Sequence, residues 1–328
     1  MNIVYIIGNG FDLNLGLKTS YQDFYKFYDK QDSLGKIVIT ELKESIKSDI
    51  ETWSDLELSL GRYTSSLKSS DHVNMIIFDI VEKLCIYLEE EQNKIDYSKL
   101  DRNVLINDLL NPEKYLPQRD QNILREWMKR WNNNPKISLH ILTFNYTNTI
   151  EKIVGQEISN INIGLKENKS AILGGIEHIH GFIDDRPVLG VNDVDQIGNE
   201  EFHQLQEVVE VIVKPIHNQE LGHTRDDYCI QLIKNANLIC IFGSSIGKTD
   251  KKWWEEIGSR VGDACRLIIF RRAPAMNPIL QIQEAPIRRN TKDQFLSMTN
   301  LSEPEKENAK QSIYVGINAD IFRLQKNT

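Results

Sequence analysis

Residues 1–21 read MNIVYIIGNGFDLNLGLKTSY, and the fold turns on this stretch. Asn2 to Ile7 is a short apolar run rich in β-branched and aromatic side chains, the composition of a strand. It ends in Gly8-Asn9-Gly10, followed by Phe11-Asp12 and a further glycine at Gly16. A strand running into glycines opens many α/β units, where backbone without a Cβ approaches a phosphate and offers it unpaired N–H groups. The match to GxGxxG is partial, so a tight strand-to-helix turn without a ligand stays open as the alternative.

The chain has 328 residues, more than one typical domain, which predicts a large α/β domain with an insertion or two domains. A 40% hydrophobic and 26% charged composition is that of a folded globular chain. The formal net charge of -8 argues against general nucleic-acid or anionic-membrane binding and suits a small-molecule partner. Cys85, Cys229, Cys240 and Cys265 form no CxxC pair, so neither a disulfide framework nor a structural zinc site is expected, and no metal is assigned. Cys85, Cys240 and Cys265 sit in apolar runs and read as core residues. No run approaches about 20 apolar residues and no cationic segment precedes VYII, so the expectation is a cytoplasmic protein with no membrane partner.

Beyond the first strand, helical patterns dominate as far as Trp131. They begin with Ser20 to Tyr28, and the clearest is Asp71 to Glu90, with Asp71 as a candidate N-cap. Gln118 to Trp131 reads as another helix. From Lys136 the pattern changes to short β-rich runs: Ile137 to Phe144, Gly175 to His180, Pro187 to Val191, Asn237 to Phe242, Arg266 to Phe270 and Ser312 to Val315. Helical segments at Glu200 to Val213, Arg225 to Lys234 and Asp250 to Val261 separate several of them, and Arg289 to Ala309 reads as a polar surface helix and loop. Strands alternating with helices predict a doubly wound, mainly parallel α/β sheet. The predicted division is an α/β domain of residues 1–36 and 136–328 interrupted by an all-helical insertion, 37–135.

Ligands of such sheets gather at the carboxyl ends of the strands. Four clusters fall there: Gly8 to Asp12, Thr143 to Thr147, His178-Ile179-His180-Gly181, and Gly243-Ser244-Ser245. Each has a bland reading as a turn or cap, but sheet packing demands no such set at four strand ends. His178 is read as structural; on a strand it would share a face with His180. Asp12 could reach a ribose, Asp250 reads as a helix cap, and His223, Arg225, Asp226 and Asp227 read as capping and solvated-face residues. Trp53 and Glu57, four apart on one helix face, are either a lid over the pocket or a core tryptophan with a capping carboxylate.

The strings IIGNGFDLNLGLKTSY, WSDLE at 53–57, TFNYTNTIE at 143–151, HIHG at 178–181 and IFGSSIGKTDKKWWEEI at 241–257 resemble the AbiH family, associated with bacteriophage abortive infection. The order of clusters also resembles, more distantly, sirtuin-like NAD-consuming domains. That resemblance implies a sirtuin-like Rossmann-type fold with NAD as substrate or ligand. Gly8, Asn9 and Gly10 would face its pyrophosphate and Gly243, Ser244 and Ser245 its adenosine half. Asp12 and Thr143 would complete the cofactor site, with Asn145 at the nicotinamide ribose and His180 as catalytic base. Thr147 stands where that pattern has an acid, and the missing CxxC pairs disfavour lysine deacylation. The expected activity is NAD hydrolysis to nicotinamide and ADP-ribose, held off before infection and controlled by a phage-derived or host activator or by homo-oligomerisation; the alternative is a non-catalytic NAD or ADP-ribose sensor. A nuclease reading lacks a clustered carboxylate signature.

Overall fold

The computed structural model describes residues 1–155, 160–222, 224–274 and 284–325, so the expectation for His223 lies outside the described residues. Seven strands build one sheet: β1 (Asn2–Ile7), β2 (Lys136–Thr143), β3 (Ile161–Lys166), β4 (Lys169–His178), β5 (Leu238–Phe242), β6 (Arg266–Arg271) and β7 (Ile313–Ile317). Their order across the sheet is β3-β4-β2-β1-β5-β6-β7, and every pairing is parallel except the antiparallel β3–β4 edge. The predicted mainly parallel α/β sheet is present.

Alternation along β1 explains its central place. Ile3, Tyr5 and Ile7 enter an apolar cluster with Leu105, Leu109, Leu124 and Trp127, whereas Val4 and Ile6 enter another with Ile233, Trp253, Trp254, Ile257 and Phe295. Both faces are therefore covered, as a parallel sheet requires. A third cluster lies among helices, where Phe24, Tyr28, Ile39, Leu42, Ile80 and Leu84 pack with Leu189, Val191, Val208 and Ile212. The helices between β1 and β2 are thus shared: Arg102–Leu110 and Gln118–Met128 cover the sheet, while Ile37–Ser48 and much of Ser70–Gln92 belong to the third cluster.

Several local expectations change. Ser69, not Asp71, caps the helix Ser70–Gln92, its hydroxyl accepting from the His72 N–H; Asp71 sits in the first turn, where a carboxylate favours the helix dipole. The Gly175 to His180 run is the end of the longer β4, and His180 lies past it in a turn, so His178 and His180 do not share a strand face. Pro187 to Val191 is no strand. Val191 makes one isolated bridge to Val213, because its apolar residues pack against helices rather than the sheet. The Glu200 to Val213 segment breaks at the extended Leu205 into Glu200–Gln204 and Gln206–Ile212. Arg289 to Ala309 falls in two helices, Glu284–Ser297 and Glu303–Lys310, and buries Phe295 and Leu296 beneath their polar faces.

All four cysteines are free thiols; Cys229, Cys240 and Cys265 are buried and Cys85 is half-buried. Burial pushes the Cys85 thiol up to about 11 and the Cys265 thiol up to about 12, which suits inert core residues. Among the described residues no helix is long and apolar enough to cross a membrane.

Candidate functional site

The first two loops of the site exist because two backbones touch. Gly8 and Gly10 follow β1, and a Cβ on Gly10 would lie 2.5 Å from the Gly243 Cα after β5. Gly243 itself adopts φ +72°, a conformation that a side chain would strain. The contact is also hydrogen-bonded: the Gly8 N–H donates to the Phe242 carbonyl (2.9 Å) and the Gly10 N–H to the Gly243 carbonyl (2.8 Å). These two N–H groups are therefore committed to the fold and are not the open donors that the sequence suggested. Among the described residues the N–H groups of Asn9, Ser244 and Ser245 donate to nothing, so the uncommitted backbone donors are those beside the glycines. The Asn9 side chain is occupied as well, donating from Nδ2 to the Thr19 carbonyl and accepting at Oδ1 from the Thr19 hydroxyl.

Above this crossing lies a cavity of about 660 Å³. Gly8, Asn9, Gly10, Asp12, Asn145, His180, Gly243, Ser244 and Ser245 all line it, at the carboxyl ends of β1, β2 and β5 and in the turn beyond β4. Thr143 does not. It is fully buried, where its hydroxyl donates to the Ile7 carbonyl and accepts from the Asn145 N–H, so it braces the turn that presents Asn145.

His180 is held from two sides. Its ring packs 5.3 Å from that of Phe144, which in turn meets Trp254 edge-on. Its Nε2 lies 2.8 Å from Asp250 Oδ1. Gly181 makes the turn after it, with φ +70° and no room for a Cβ against the Arg186 carbonyl. Asp250 occupies the N-cap position of the helix Lys251–Arg260, yet its side chain makes no capping bond. It reaches instead to His180 and to Lys214 Nζ (2.9 Å), correcting the cap reading. Lys214 also donates to Glu57 Oε2 (2.8 Å), and Glu57 Oε1 accepts from the Gly190 N–H.

Glu57, Lys214 and Asp250 thus form one chain of alternating charge that ends on His180, with Asp250 half-buried and the other three buried. Burial works to raise the Asp250 carboxyl, but Lys214 and His180 outweigh it and hold Asp250 well below the usual carboxylate range. Burial raises the Glu57 carboxyl, with Lys214 offsetting only part of the effect. Burial opposes the charge on Lys214, while Asp250 and Glu57 prevail and raise its pKa. An ionised Asp250 accepts only, so His180 Nε2 carries a proton, and in the neutral tautomer Nδ1 is the lone pair. That Nδ1 is enclosed and has no partner among the described residues.

Asn145 carries the same signature: it is 6% exposed, and neither its Oδ1 nor its Nδ2 is hydrogen-bonded among the described residues. Its backbone carbonyl is held by His178 Nδ1 (2.8 Å), whose Nε2 meets Glu151 (2.6 Å), giving His178 a positioning role away from the cavity wall. Asp12, 1% exposed, accepts from the hydroxyls of Thr147 (2.6 Å) and Thr149 (2.9 Å). Burial pushes its carboxyl up to about 6 against those two bonds.

Glu57 lies on the cavity wall and Trp53 is core, its ring tilted 5.7 Å from that of Tyr63; the cap of the helix Leu56–Tyr63 is Asp55, which accepts from the Leu58 N–H, so Glu57 is not the capping carboxylate. Arg225 binds the His178 carbonyl and Asp185, and Asp226 pairs with Lys252; neither lines the cavity. Lys214, Arg271 and Arg272 were not legible as site residues. Among the described residues no group of three or more His, Cys, Asp or Glu side chains is disposed to hold a metal.

No curated protein matches the chain. The profile of the family described as bacteriophage abortive infection AbiH matches residues 4–271, a span that runs from β1 to the end of β6 and contains every residue of the charge chain. The chain belongs to the AbiH family.

Proposed function

We propose that the cavity hydrolyses the N-glycosidic bond of NAD, releasing nicotinamide and ADP-ribose, and that the fold is a doubly wound, sirtuin-like nucleotide-binding domain. The family description supports a role in abortive infection, in which loss of NAD would halt growth of the infected cell. The observation that carries the chemistry is that two cavity-lining residues hold enclosed polar atoms without a partner among the described residues: the Asn145 side-chain amide and His180 Nδ1. Leaving buried polar atoms unpaired costs about 1–3 kcal/mol each, a cost offset when a ligand supplies the missing bonds.

In this reading the nicotinamide ribose lies against Asn145, whose amide holds a ribose hydroxyl or the attacking water through donor and acceptor together. The water oxygen bonds to the anomeric carbon as the C–N bond breaks. The bonding pair leaves with nicotinamide, whose ring nitrogen was already cationic, so no acid is required. The water proton passes to His180 Nδ1, a step typically worth about 10²–10⁴ in rate. Asp250 fixes the tautomer and stabilises the imidazolium that forms, and Lys214 keeps Asp250 ionised. The proposed division into an α/β domain, 1–36 and 136–328, and a helical insertion, 37–135, makes Glu57 the point at which the insertion touches this machinery. Such a link offers an activator, or a second copy of the chain, a route to the catalytic histidine.

The reading is tested in cells by following NAD after phage challenge. Loss of NAD with the parent and its persistence with His180→Ala is the expected outcome; growth arrest at unchanged NAD would refute it.

A further inference from the structure

The cavity extends past the four clusters that the chemistry uses. Its wall continues from Phe242 and Gly243 at the end of β5 to Phe270, Arg271 and Arg272 at the end of β6. From Asn145 beyond β2, across β1 and β5, to Arg271 on β6 are three strand spacings, or about 14 Å. The two ends differ in charge. At the His180 end the carboxylates of Glu57 and Asp250 flank the single cation Lys214, whereas the β6 end carries two consecutive arginines.

Those arginines are not absorbed by the fold. Arg271 is half-buried, and its guanidinium has neither an ion pair nor a hydrogen bond among the described residues. Arg272 is exposed and donates only to the Asn14 side-chain oxygen, a neutral acceptor. A cationic pair on a cavity wall with no carboxylate partner among the described residues is suited to a phosphate monoester, which a guanidinium binds through paired, charge-assisted hydrogen bonds.

We infer that Arg271 and Arg272 form a phosphate subsite at the adenosine end of the ligand, and that the preferred substrate is the dinucleotide bearing a 2′-phosphate on its adenosine ribose. The inference rests on the orientation adopted above, nicotinamide at Asn145 and adenosine toward β6. A pyrophosphate is not what the arginines meet. It falls at the Gly8–Gly243 crossing, one to two strands away, beside the N–H groups of Asn9, Ser244 and Ser245, which have no acceptor among the described residues.

The experiment compares the affinities of ADP-ribose and 2′-phospho-ADP-ribose by calorimetry on the full chain, beside Arg271→Gln and Arg272→Gln, and assays NAD and NADP for cleavage in parallel. Tighter binding of the phosphorylated ligand by roughly 10-fold or more, collapsing toward parity in Arg271→Gln while ADP-ribose affinity shifts less than about 3-fold, supports the subsite. Equal affinities in the parent overturn the subsite and leave the NAD reading standing. The expected preference without cleavage of either dinucleotide supports the subsite and overturns hydrolysis. Failure to bind either ligand overturns both.

Discussion

Nε2 of His180 lies 2.8 Å from Oδ1 of Asp250, and the two residues are brought together from the turn after β4 and the start of the helix after β5. This contact decides which nitrogen of the histidine can act as a base. Asp250→Asn offers an amide in place of an acceptor-only group, so the imidazole loses its fixed tautomer. NAD cleavage should fall by about 10²–10⁴-fold with little change in nucleotide affinity, read from steady-state rates and calorimetry. Equal rates for parent and variant would remove Asp250 from the mechanism.

Lys214 is the cation shared by the buried Glu57 carboxylate and the half-buried Asp250 carboxylate. Lys214→Met leaves Glu57 and Asp250 facing each other without compensation and should destabilise the fold by about 3–5 kcal/mol in chemical denaturation. Adding Glu57→Gln should recover part of that loss, because one buried charge goes with its partner. A single variant as stable as the parent would show that the chain of charges is not a buried network.

Asn145→Ala separates function from folding. Both of its side-chain polar atoms are unpaired among the described residues, so truncation breaks no side-chain hydrogen bond there. Stability should stay within about 1 kcal/mol of the parent while cleavage drops roughly 100-fold or more. A large stability loss with retained cleavage would reverse the assignment.

Asp12 sets a pH dependence. Its carboxyl is raised from 3.8 to about 6 chiefly by burial, so between those values the folded state binds more protons than the unfolded state. This group's contribution therefore falls as pH rises from about 4 to 6, by roughly 3 kcal/mol at most. Asp12→Asn should abolish that component, seen as a smaller drop in denaturation free energy across the window than in the parent. Identical pH profiles would place the Asp12 carboxyl in a less costly setting.

Much of this architecture was legible in the sequence where function and local pattern coincide. NIVYII and LICIF announce central strands because buried parallel strands need apolar residues on both faces, and the residues following them are polar or glycine for reasons that packing does not supply. The edge strand Ile161–Lys166 was missed, since its exposed, glycine-containing sequence carries no strong alternation. Lys214 was invisible for a different reason: its partner Glu57 is 157 residues away, and nothing local marks a lysine beside Pro215 as buried. The one available signal was indirect, a lysine directly after the apolar run Val211-Ile212-Val213. The glycine turn shows the converse. Its position was clear from sequence, but which N–H groups remain free is a tertiary property, set by the β5 loop that Gly8 and Gly10 contact.

The most direct test is incubation of the purified protein with NAD, with nicotinamide and ADP-ribose followed by chromatography, beside His180→Ala and Asn145→Ala. The account predicts equimolar appearance of both products with the parent and loss of both with either variant. Cleavage that persists undiminished in His180→Ala, or NAD that binds and is recovered intact from the parent, would contradict it.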